Sequence, residues 1–318
     1  MFLIKNEADK EKLIAAVDAL TQSLGVKVER SLADHLASRT KSQYTSIATL
    51  EGKKVVFRVA WGDHYPQIVA RETTIYEIAE QNGLDYFPRL VQSGHTPDLT
   101  WLVYEYLEGE PVGTTYQFDS GSGYAPILRS LFDLQKILKD APASLFEDKN
   151  KPELWHKLLT RLREKAQVLA DPDFEIEKYL KLAEAKLSQI TSKALCHGDF
   201  HPQNIIVQGA ELKIIDWETS CLNSFALDYS FIWIRSFDSP ARAQIWAKLE
   251  ETGVAEAEAN LVFLISLLRD YCEWRLALIG KNELLSEKTI INEAKPEAIL
   301  ADLKQNLDLF CDKVEKSS

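Results

Sequence analysis

The first sixty residues show a helical period of apolar positions followed by a strand period. Residues 7–23 predict an amphipathic helix that ends at Gly25, with an apolar stripe made of Leu13, Ile14, Val17 and Leu20. From residue 26 onward the period shortens to two, and the segments that predict strands are 26–32, 44–51 and 53–61. The N-terminal part is therefore expected to contain a helix and then a sheet.

A charged residue interrupts the apolar centre of the strand at 53–61. Arg58 lies on the face opposite to Val55, Phe57 and Val59, and a buried arginine is costly unless it is paired. The next segment, 66–81, predicts a helix, and Glu72 falls within its apolar stripe. The two residues are candidates for a buried ion pair. The alternative is that both side chains reach solvent at opposite edges.

Strands give way to helices beyond residue 112. Segments 87–94 and 100–112 predict two more strands, and the polar sequence 105–109 marks a boundary between lobes. The later segments that predict helices are 124–138, 153–169, 174–190, 226–236, 241–251, 255–279 and 296–313. We expect an α+β protein with a strand-rich lobe at 1–107 and a helical lobe at 108–318.

A predicted β-hairpin interrupts the helices. Two apolar runs, 205–207 and 212–215, flank a short polar turn, so that Asn204 precedes the first strand and Asp216 follows the second. Antiparallel pairing brings such positions to about 5 Å between Cβ atoms. An amide oxygen and a carboxylate that converge in this way suit Mg²⁺. With Asp199 one loop upstream, the pattern is typical of a phosphoryl-transfer site.

Composition and charge narrow the possible functions of the chain. The 318 residues are 46% hydrophobic and carry a net charge of −11, which argues against a nucleic-acid partner. The four cysteines form no C-x-x-C pair, so reduced thiols and a cytoplasmic location are expected. The N-terminus has no signal-peptide pattern, and the longest apolar stretch, 261–268, is too short to cross a membrane. The oligomeric state is left open.

The motifs resemble those of the aminoglycoside phosphotransferase and choline kinase-like superfamily. The segments that carry the resemblance are HGDFHPQN at 197–204, IIDWE at 214–218, the RE…L stretch at 71–84, LVYEYLEGEPV at 102–112 and FALDYSFIW at 225–233. The resemblance implies a bilobal protein kinase-like fold. It also implies transfer of the γ-phosphoryl group of ATP or GTP to a hydroxyl of a small molecule, with Mg²⁺ as cofactor.

The resemblance also implies roles for the residues around the hairpin. Asp199 would be the catalytic residue, which orients the acceptor hydroxyl and accepts its proton. Asn204 and Asp216 would bind Mg²⁺. His197 would hold the catalytic loop, and Asp228 would brace that loop from the following helix.

The nucleotide-binding residues implied by the resemblance lie in the N-terminal part. Arg58 would hold the phosphates at a position where many relatives carry lysine, and Glu72 would be its partner. The backbone near Glu105 and Leu107 would receive the adenine. The segment 32–46, expected to cover the phosphates, contains no glycine, and its candidate donors and charges are Ser42, Thr45, Ser46, Arg39 and Lys41.

The residues that bind the acceptor are less well defined by the sequence. Asp270 and Trp274 share a stripe of the helix at 255–279, where an acid beside an aromatic ring suits a cationic amine. The alternative is core packing with Asp270 paired to an arginine, although the neighbours Arg269 and Arg275 lie on other faces. Glu218 is a second candidate for the acceptor site, and Trp217 is expected to pack.

Other functional classes remain possible on the sequence alone. The glycine-free segment and Arg58 are compatible with a nucleotide-binding pseudokinase that has a regulatory role. A protein kinase is disfavoured because no D-F-G or A-P-E segment follows Asp216. A zinc site at His197 and His201 is disfavoured because Gly198 and Pro202 oppose the helix that this spacing requires.

Overall fold

The computed structural model describes residues 6–38, 42–113, 124–137, 146–169, 175–209, 211–237, 239–279 and 296–317. These residues form two compact units. The first consists of the described part of Met1–Pro111 together with Asn204–Ser220, and the second of Val112–Gln203 and Cys221–Ser318. The boundary after residue 107 stays a prediction, because it separates proposed functional lobes, whereas the two compact units are defined by contacts.

The elements follow the predicted order closely. The helices are α1 (Glu7–Leu24), α2 (Leu32–Ser38), α3 (Tyr65–Gln81), α4 (Tyr124–Ile137), α5 (Pro152–Leu169), α6 (Ile176–Lys186), α7 (Ala226–Arg235), α8 (Ser239–Glu250), α9 (Glu256–Leu278) and α10 (Pro296–Lys316). The strands are β1 (Val26–Val28), β2 (Gln43–Leu50), β3 (Lys53–Ala60), β4 (Leu90–His95), β5 (Thr100–Glu105), β6 (Glu110–Pro111), β7 (Ala194–Cys196), β8 (Ile205–Gln208), β9 (Glu211–Ile214) and β10 (Cys221–Asn223).

The first unit is built on a five-stranded antiparallel sheet. The strand order is β1-β2-β3-β5-β4, so the two longest strands lie at or next to the centre. Val55, Phe57 and Val59 on one face of β3 belong to the hydrophobic core that also includes side chains of α1 and β2. This confirms the predicted alternation along β3, which leaves Arg58 on the face opposite to that core.

Helix α2 was not predicted from the sequence. It occupies residues 32–38, within the segment that was expected to cover the nucleotide phosphates. Ser31 caps the helix, since its hydroxyl accepts a hydrogen bond from the Asp34 backbone N–H (3.2 Å) and donates one to the Asp34 carboxylate (2.6 Å). Leu32 is buried in the core. The S-x-x-D pattern at 31–34 was the signal for this helix. Arg39 and Lys41 lie outside the described residues.

The predicted hairpin is present as β8 and β9, and β6 pairs with its outer edge. Residue 205 is opposite 214 and residue 208 is opposite 211. Strand β6 adds Glu110 and Pro111 to β8. A β-carbon built on Gly109 would lie 2.2 Å from the carbonyl oxygen of Val207, so this backbone approach needs a glycine. The glycine in the predicted boundary segment therefore has a packing role.

Helices form most of the second unit, and α9 is its central element. Helix α9 packs against α5, α6, α7 and α10, and most of its side chains are buried. The short strands β7 and β10, which were not predicted, pair with each other directly before and after residues 197–220. All four cysteines are buried and free. Within the described residues, no helix has both the length and the apolarity needed to cross a membrane.

Candidate phosphoryl-transfer site

The open end of the β8–β9 hairpin positions Asn204 and Asp216. The Ile215 backbone N–H donates a hydrogen bond to the Asn204 carbonyl oxygen at 2.9 Å, and this bond fixes the two chain ends side by side. Asp216 has a left-handed backbone conformation (φ 63°, ψ 59°), which an L-residue adopts at a cost. Backbone strain of this kind is typical of residues in functional sites, and Asp216 is a proposed metal ligand. The backbone therefore places Asn204 opposite Ile215, the residue directly before Asp216.

The predicted ion pair between Arg58 and Glu72 is confirmed. Arg58 Nη1 lies 2.6 Å from Glu72 Oε2, and the Glu72 side chain is completely buried. The Tyr76 hydroxyl donates a hydrogen bond to the other carboxylate oxygen at 2.9 Å. Burial disfavours the guanidinium charge, but Glu72 and Asp216 together raise the pKa of Arg58, so that Arg58 stays charged.

Arg58 also contacts the carboxylates at the hairpin end. Its Nη2 atom lies 3.1 Å from Asp216 Oδ1, and its Nη1 atom lies 3.9 Å from Glu218 Oε2. Gln43 Nε2 donates a hydrogen bond to the same oxygen of Glu218 at 2.9 Å. Three carboxylates, from α3 and from the segment after β9, therefore surround one guanidinium, and Gln43 of β2 holds one of them.

Two buried polar atoms in this cluster have no hydrogen-bond partner among the described residues. They are Arg58 Nε, a donor, and Gln43 Oε1, an acceptor. Buried polar groups in native proteins are nearly always hydrogen-bonded, so an orphaned donor and acceptor indicate a ligand or ordered water. A phosphate oxygen is a suitable partner for Arg58 Nε.

Gln43 was missed as a site residue from the sequence. It is the first residue of β2 and directly follows Ser42, whose carbonyl oxygen accepts a hydrogen bond from the Trp61 N–H at 3.1 Å. Ser46, a predicted donor, is instead engaged within the sheet region, where it binds the Arg30 N–H and the Ile47 carbonyl. Thr45 is exposed. A glutamine has no motif of its own, so the sequence contained no signal for this position.

The backbone after β5 includes polar groups that are available to a ligand. The Glu105 side chain accepts a hydrogen bond from the Arg89 N–H at 2.9 Å, and its own N–H donates to the Arg89 carbonyl at 3.0 Å. In the described part of the chain, neither the N–H nor the carbonyl of Leu107 has a hydrogen-bond partner. Of the two predicted adenine-binding residues, Leu107 therefore has the freer backbone.

The loop at residues 197–199 of the second unit is held by Asp228 of α7. One oxygen of Asp228 accepts a hydrogen bond from the His197 N–H (2.7 Å) and the other from the Gly198 N–H (3.0 Å). Burial raises the pKa of Asp228 to about 7, although both hydrogen bonds oppose the shift. His197 is fully buried, and its Nδ1 atom accepts a hydrogen bond from the Asp199 N–H at 3.3 Å. The predicted bracing contacts are present.

Asp199 has an accessible carboxylate. Its side chain is about half exposed (52%), and Oδ2 lies 3.4 Å from His201 Nε2. Partial burial raises the pKa of Asp199, but the hydrogen bond and charge of His201, with His197 and Arg235, lower it below its usual value. An ionised, accessible carboxylate is what a residue that accepts a hydroxyl proton requires.

Asp228→Asn should destabilise the second unit by about 1–3 kcal/mol. The substitution replaces one carboxylate oxygen by an NH₂ group, which then faces a backbone N–H at a fully buried position. Urea unfolding of the variant and of wild type measures the difference. Asp312→Asn, an exposed change on α10, is the control and should have no effect. Equal stability of Asp228→Asn and wild type would contradict the bracing role.

The residues predicted to bind an amine on α9 are engaged in ion pairs and packing, which is the alternative that the sequence left open. Asp270 Oδ2 lies 3.2 Å from Arg235 Nη1, and Oδ1 lies 3.0 Å from Arg269 Nη2. Arg269 reaches Asp270 although the two residues are adjacent in sequence, and its guanidinium lies over the Phe231 ring (4.2 Å). Trp274 is 4% exposed and belongs to the core.

The other hairpin residues also have defined contacts. Glu218, proposed for the acceptor, binds Gln43 and faces Arg58 within the first unit. Trp217 packs as expected, since it is fully buried and its ring stacks on Phe87 at 5.1 Å. Glu218 is therefore engaged with Gln43 and Arg58, and its role at the acceptor site stays a prediction.

Solved structures of kinases share this fold. A spectinomycin phosphotransferase, APH(9)-Ia, in complex with ADP and spectinomycin has a TM-score of 0.59 and 13% identity, covering 96% of this chain and 98% of its own. Macrolide 2′-phosphotransferase MphH from Brachybacterium faecium has a TM-score of 0.52 and 18% identity, and the match covers 91% of this chain and 97% of the MphH chain. A choline/ethanolamine kinase family protein from Mesorhizobium loti has a TM-score of 0.52 and 16% identity, with 95% of both chains covered. The fold is therefore the α+β protein kinase-like fold of small-molecule kinases.

The family follows from the sequence itself. The profile of the phosphotransferase enzyme family (APH) matches residues 37–260. The chain belongs to this phosphotransferase family and is a small-molecule kinase. No curated protein sequence matches it.

Proposed function

We propose that the protein transfers the γ-phosphoryl group of ATP or GTP to a hydroxyl of a small molecule, with Mg²⁺ as cofactor. The observation that carries the proposal is the position of Arg58. It is a buried cation bound to the helix carboxylate Glu72 on one side and to the hairpin carboxylate Asp216 on the other. Kinases of this fold use such a basic residue to hold the nucleotide phosphates.

Asp199 is proposed to act on the acceptor. Its half-exposed, ionised carboxylate accepts a hydrogen bond from the acceptor hydroxyl, orients the oxygen for in-line attack and takes up the proton. Asp228 and His197 keep the loop in one conformation through hydrogen bonds to its backbone. Such preorganisation supplies most of the rate enhancement in phosphoryl transfer.

The hairpin end suits the proposed metal. Asn204 and Asp216 offer an amide oxygen and a carboxylate at adjacent chain ends, and the Asp216 side chain is 36% exposed. Oxygen donors of this kind, completed by phosphate and water, are the usual ligands of Mg²⁺ in kinases. When bound, Mg²⁺ neutralises charge on the phosphates. Asn204 and Asp216 are the residues that would hold it.

The proposed nucleotide contacts rest on groups that need a partner. Arg58 Nε is buried without a partner among the described residues, and it suits a phosphate oxygen. The Leu107 N–H and carbonyl, at the proposed junction of residues 1–107 with 108–318, suit the edge of a purine. Ser42 remains a proposed phosphate contact. ATP and GTP both have phosphates and a purine edge, so either nucleotide is compatible with the site.

For the acceptor we propose a hydroxyl-bearing small molecule, with amino sugars and other amine-bearing alcohols as the first class to test. Support comes from the net charge of −11 and from relatives whose names include spectinomycin and choline or ethanolamine. Asp270 and Trp274 no longer support this class, because they are engaged within the helical unit.

A nucleotide-consumption screen tests the proposed function. Purified protein should release ADP or GDP only when Mg²⁺ and a suitable alcohol are both present, because the in-line acceptor is required for transfer. Release is measured by a coupled assay across aminoglycosides, aminocyclitols, macrolides, choline, ethanolamine and simple sugars, with each nucleotide. Asp216→Asn, which lacks one proposed metal ligand, should lose the Mg²⁺-dependent release of ADP or GDP. Nucleotide binding without release for any alcohol would contradict the proposal and favour a pseudokinase.

A further inference from the structure

We propose that Arg58 is the resident counter-cation of Asp216, and that Glu218, held by Gln43, receives Arg58 when Asp216 binds a divalent cation. Arg58 would thus exchange one carboxylate for another, and Glu218 would be a positioning residue. The inference rests on the proposed function, because it assumes that Asp216 is a metal ligand. It assigns to Glu218 and Gln43 a role that the family motif does not specify.

The geometry of Arg58 supports an exchange between two carboxylates around a fixed anchor. Nη1 is anchored on Glu72 at 2.6 Å, a short contact on a fully buried partner. Nη2 contacts Asp216 at 3.1 Å, whereas Glu218 lies 3.9 Å from Nη1. The guanidinium is therefore already within range of both hairpin carboxylates. A rotation about the Glu72 contact would move Nη2 away from Asp216 and would leave Nη1 within range of Glu218.

Glu218 is held ready by groups that do not move with Arg58. Trp217, its neighbour, is fully buried and stacks on Phe87, and the Trp217 indole N–H donates a hydrogen bond to the Ile214 carbonyl at 3.2 Å. Gln43 fixes Oε2 of Glu218 from strand β2 at 2.9 Å. The Glu218 carboxylate thus stays in place whether Arg58 binds Asp216 or Glu218.

The charges of the cluster favour the arrival of a divalent cation. Arg58 faces the three carboxylates of Glu72, Asp216 and Glu218 within 4 Å. Among the described residues, no other cationic side chain lies within that distance of them, so two negative charges are in excess. A divalent cation at Asp216 would balance the cluster, provided that Arg58 moves away from the new positive charge.

Arginine suits this exchange better than lysine. Its planar fork presents two Nη atoms, and here one binds Glu72 while the other binds Asp216. A lysine ammonium is a single compact charge without the second prong of the guanidinium, so it would keep Glu72 and release Asp216. Arg58→Lys should therefore leave Asp216 open to metal without removing the buried ion pair.

Mn²⁺ binding to the full-length protein, followed by electron paramagnetic resonance of the free ion, tests the inference without turnover. We expect Arg58→Lys to bind Mn²⁺ about tenfold more tightly than wild type, because the lysine charge would stay on Glu72 and would no longer compete for Asp216. Glu218→Gln should bind about tenfold more weakly in the wild-type background and with a much smaller change in the Arg58→Lys background. Arg71→Lys is the matched control and should have no effect, since Arg71 binds the Ser220 carbonyl outside the cluster.

The possible outcomes separate the inference from the proposed function. The inference fails if Arg58→Lys binds Mn²⁺ no more tightly than wild type, or if Glu218→Gln has the same effect in both backgrounds. If Arg58→Lys does not fold, an unchanged affinity of Glu218→Gln alone overturns it. Wild-type binding that is lost in Asp216→Asn upholds the metal site even when the exchange fails. If wild type and Asp216→Asn both fail to bind Mn²⁺, the metal site and the exchange fail together.

Discussion

Asp199→Asn should lower phosphoryl transfer by about 10²–10⁴-fold, the usual contribution of a general base, and leave the fold unchanged. The substitution keeps the shape of the side chain but removes the carboxylate that accepts the acceptor proton. The side chain is 52% exposed, and the loop is held through the backbone by Asp228 and His197, so little stability depends on the charge. Turnover and thermal unfolding are measured on the same preparation.

The control for Asp199→Asn is Asp312→Asn, which changes an exposed carboxylate on α10 in the second unit. This control should match wild type in both turnover and unfolding temperature. Near-wild-type transfer by Asp199→Asn would show that another group accepts the proton. A large fall in its unfolding temperature would show that Asp199 has a structural role instead.

Arg58→Met should cost about 3–5 kcal/mol of the free energy of unfolding, the range found when one partner of a buried ion pair is removed. Glu72 is completely buried, and without Arg58 its one remaining polar partner among the described residues would be the Tyr76 hydroxyl. Arg58→Met combined with Glu72→Gln should recover most of the loss, because the double variant buries no unpaired charge. Urea titration of the two variants and wild type measures both effects.

Arg129→Met provides the comparison for an exposed ion pair. Arg129 is 76% exposed and lies 3.7 Å from Asp133, so its loss should cost less than about 1 kcal/mol. The account of the buried pair would be wrong if Arg58→Met were as stable as Arg129→Met. It would also be wrong if the double variant were no more stable than Arg58→Met alone.

Local periodicity was sufficient to predict the elements that carry the site. The period-two alternation of β3 placed Arg58 opposite to the core face, and the stripe of α3 placed Glu72 inward, so their pairing followed from two independent patterns. The β8–β9 hairpin followed from its turn, and its observed register places Asn204 opposite Ile215, one residue before Asp216.

The features that the sequence did not predict depend on contacts between distant segments. Strands β7 and β10 are three residues each and exist because they pair with each other across the hairpin. Gln43 becomes a site residue only because Glu218, 175 positions away in sequence, lies beside it. Asp270 has two arginine partners because Arg269 folds back over a ring of α7 and Arg235 comes from that helix. The sequence of a single segment does not contain information about these distant partners.

The glycine-free segment illustrates how a local signal can be overlooked. Residues 32–38 were interpreted by analogy with a phosphate loop, whereas the S-x-x-D pattern and the buried Leu32 favour the helix that is present. The cation and the polar groups near the proposed phosphates come instead from Arg58 and Gln43, which lie on the strands of the sheet.

Direct detection of the transferred group tests the central claim. The protein is incubated with Mg²⁺, an alcohol identified by the consumption screen, and ATP or GTP carrying ¹⁸O in its γ-phosphoryl group. Mass spectrometry of the alcohol should show a phosphate ester that retains the three labelled non-bridging oxygens, and the ester should be absent with Asp199→Asn. Labelled inorganic phosphate with no labelled ester would show hydrolysis instead of transfer and would contradict the assignment of a small-molecule kinase site to these residues.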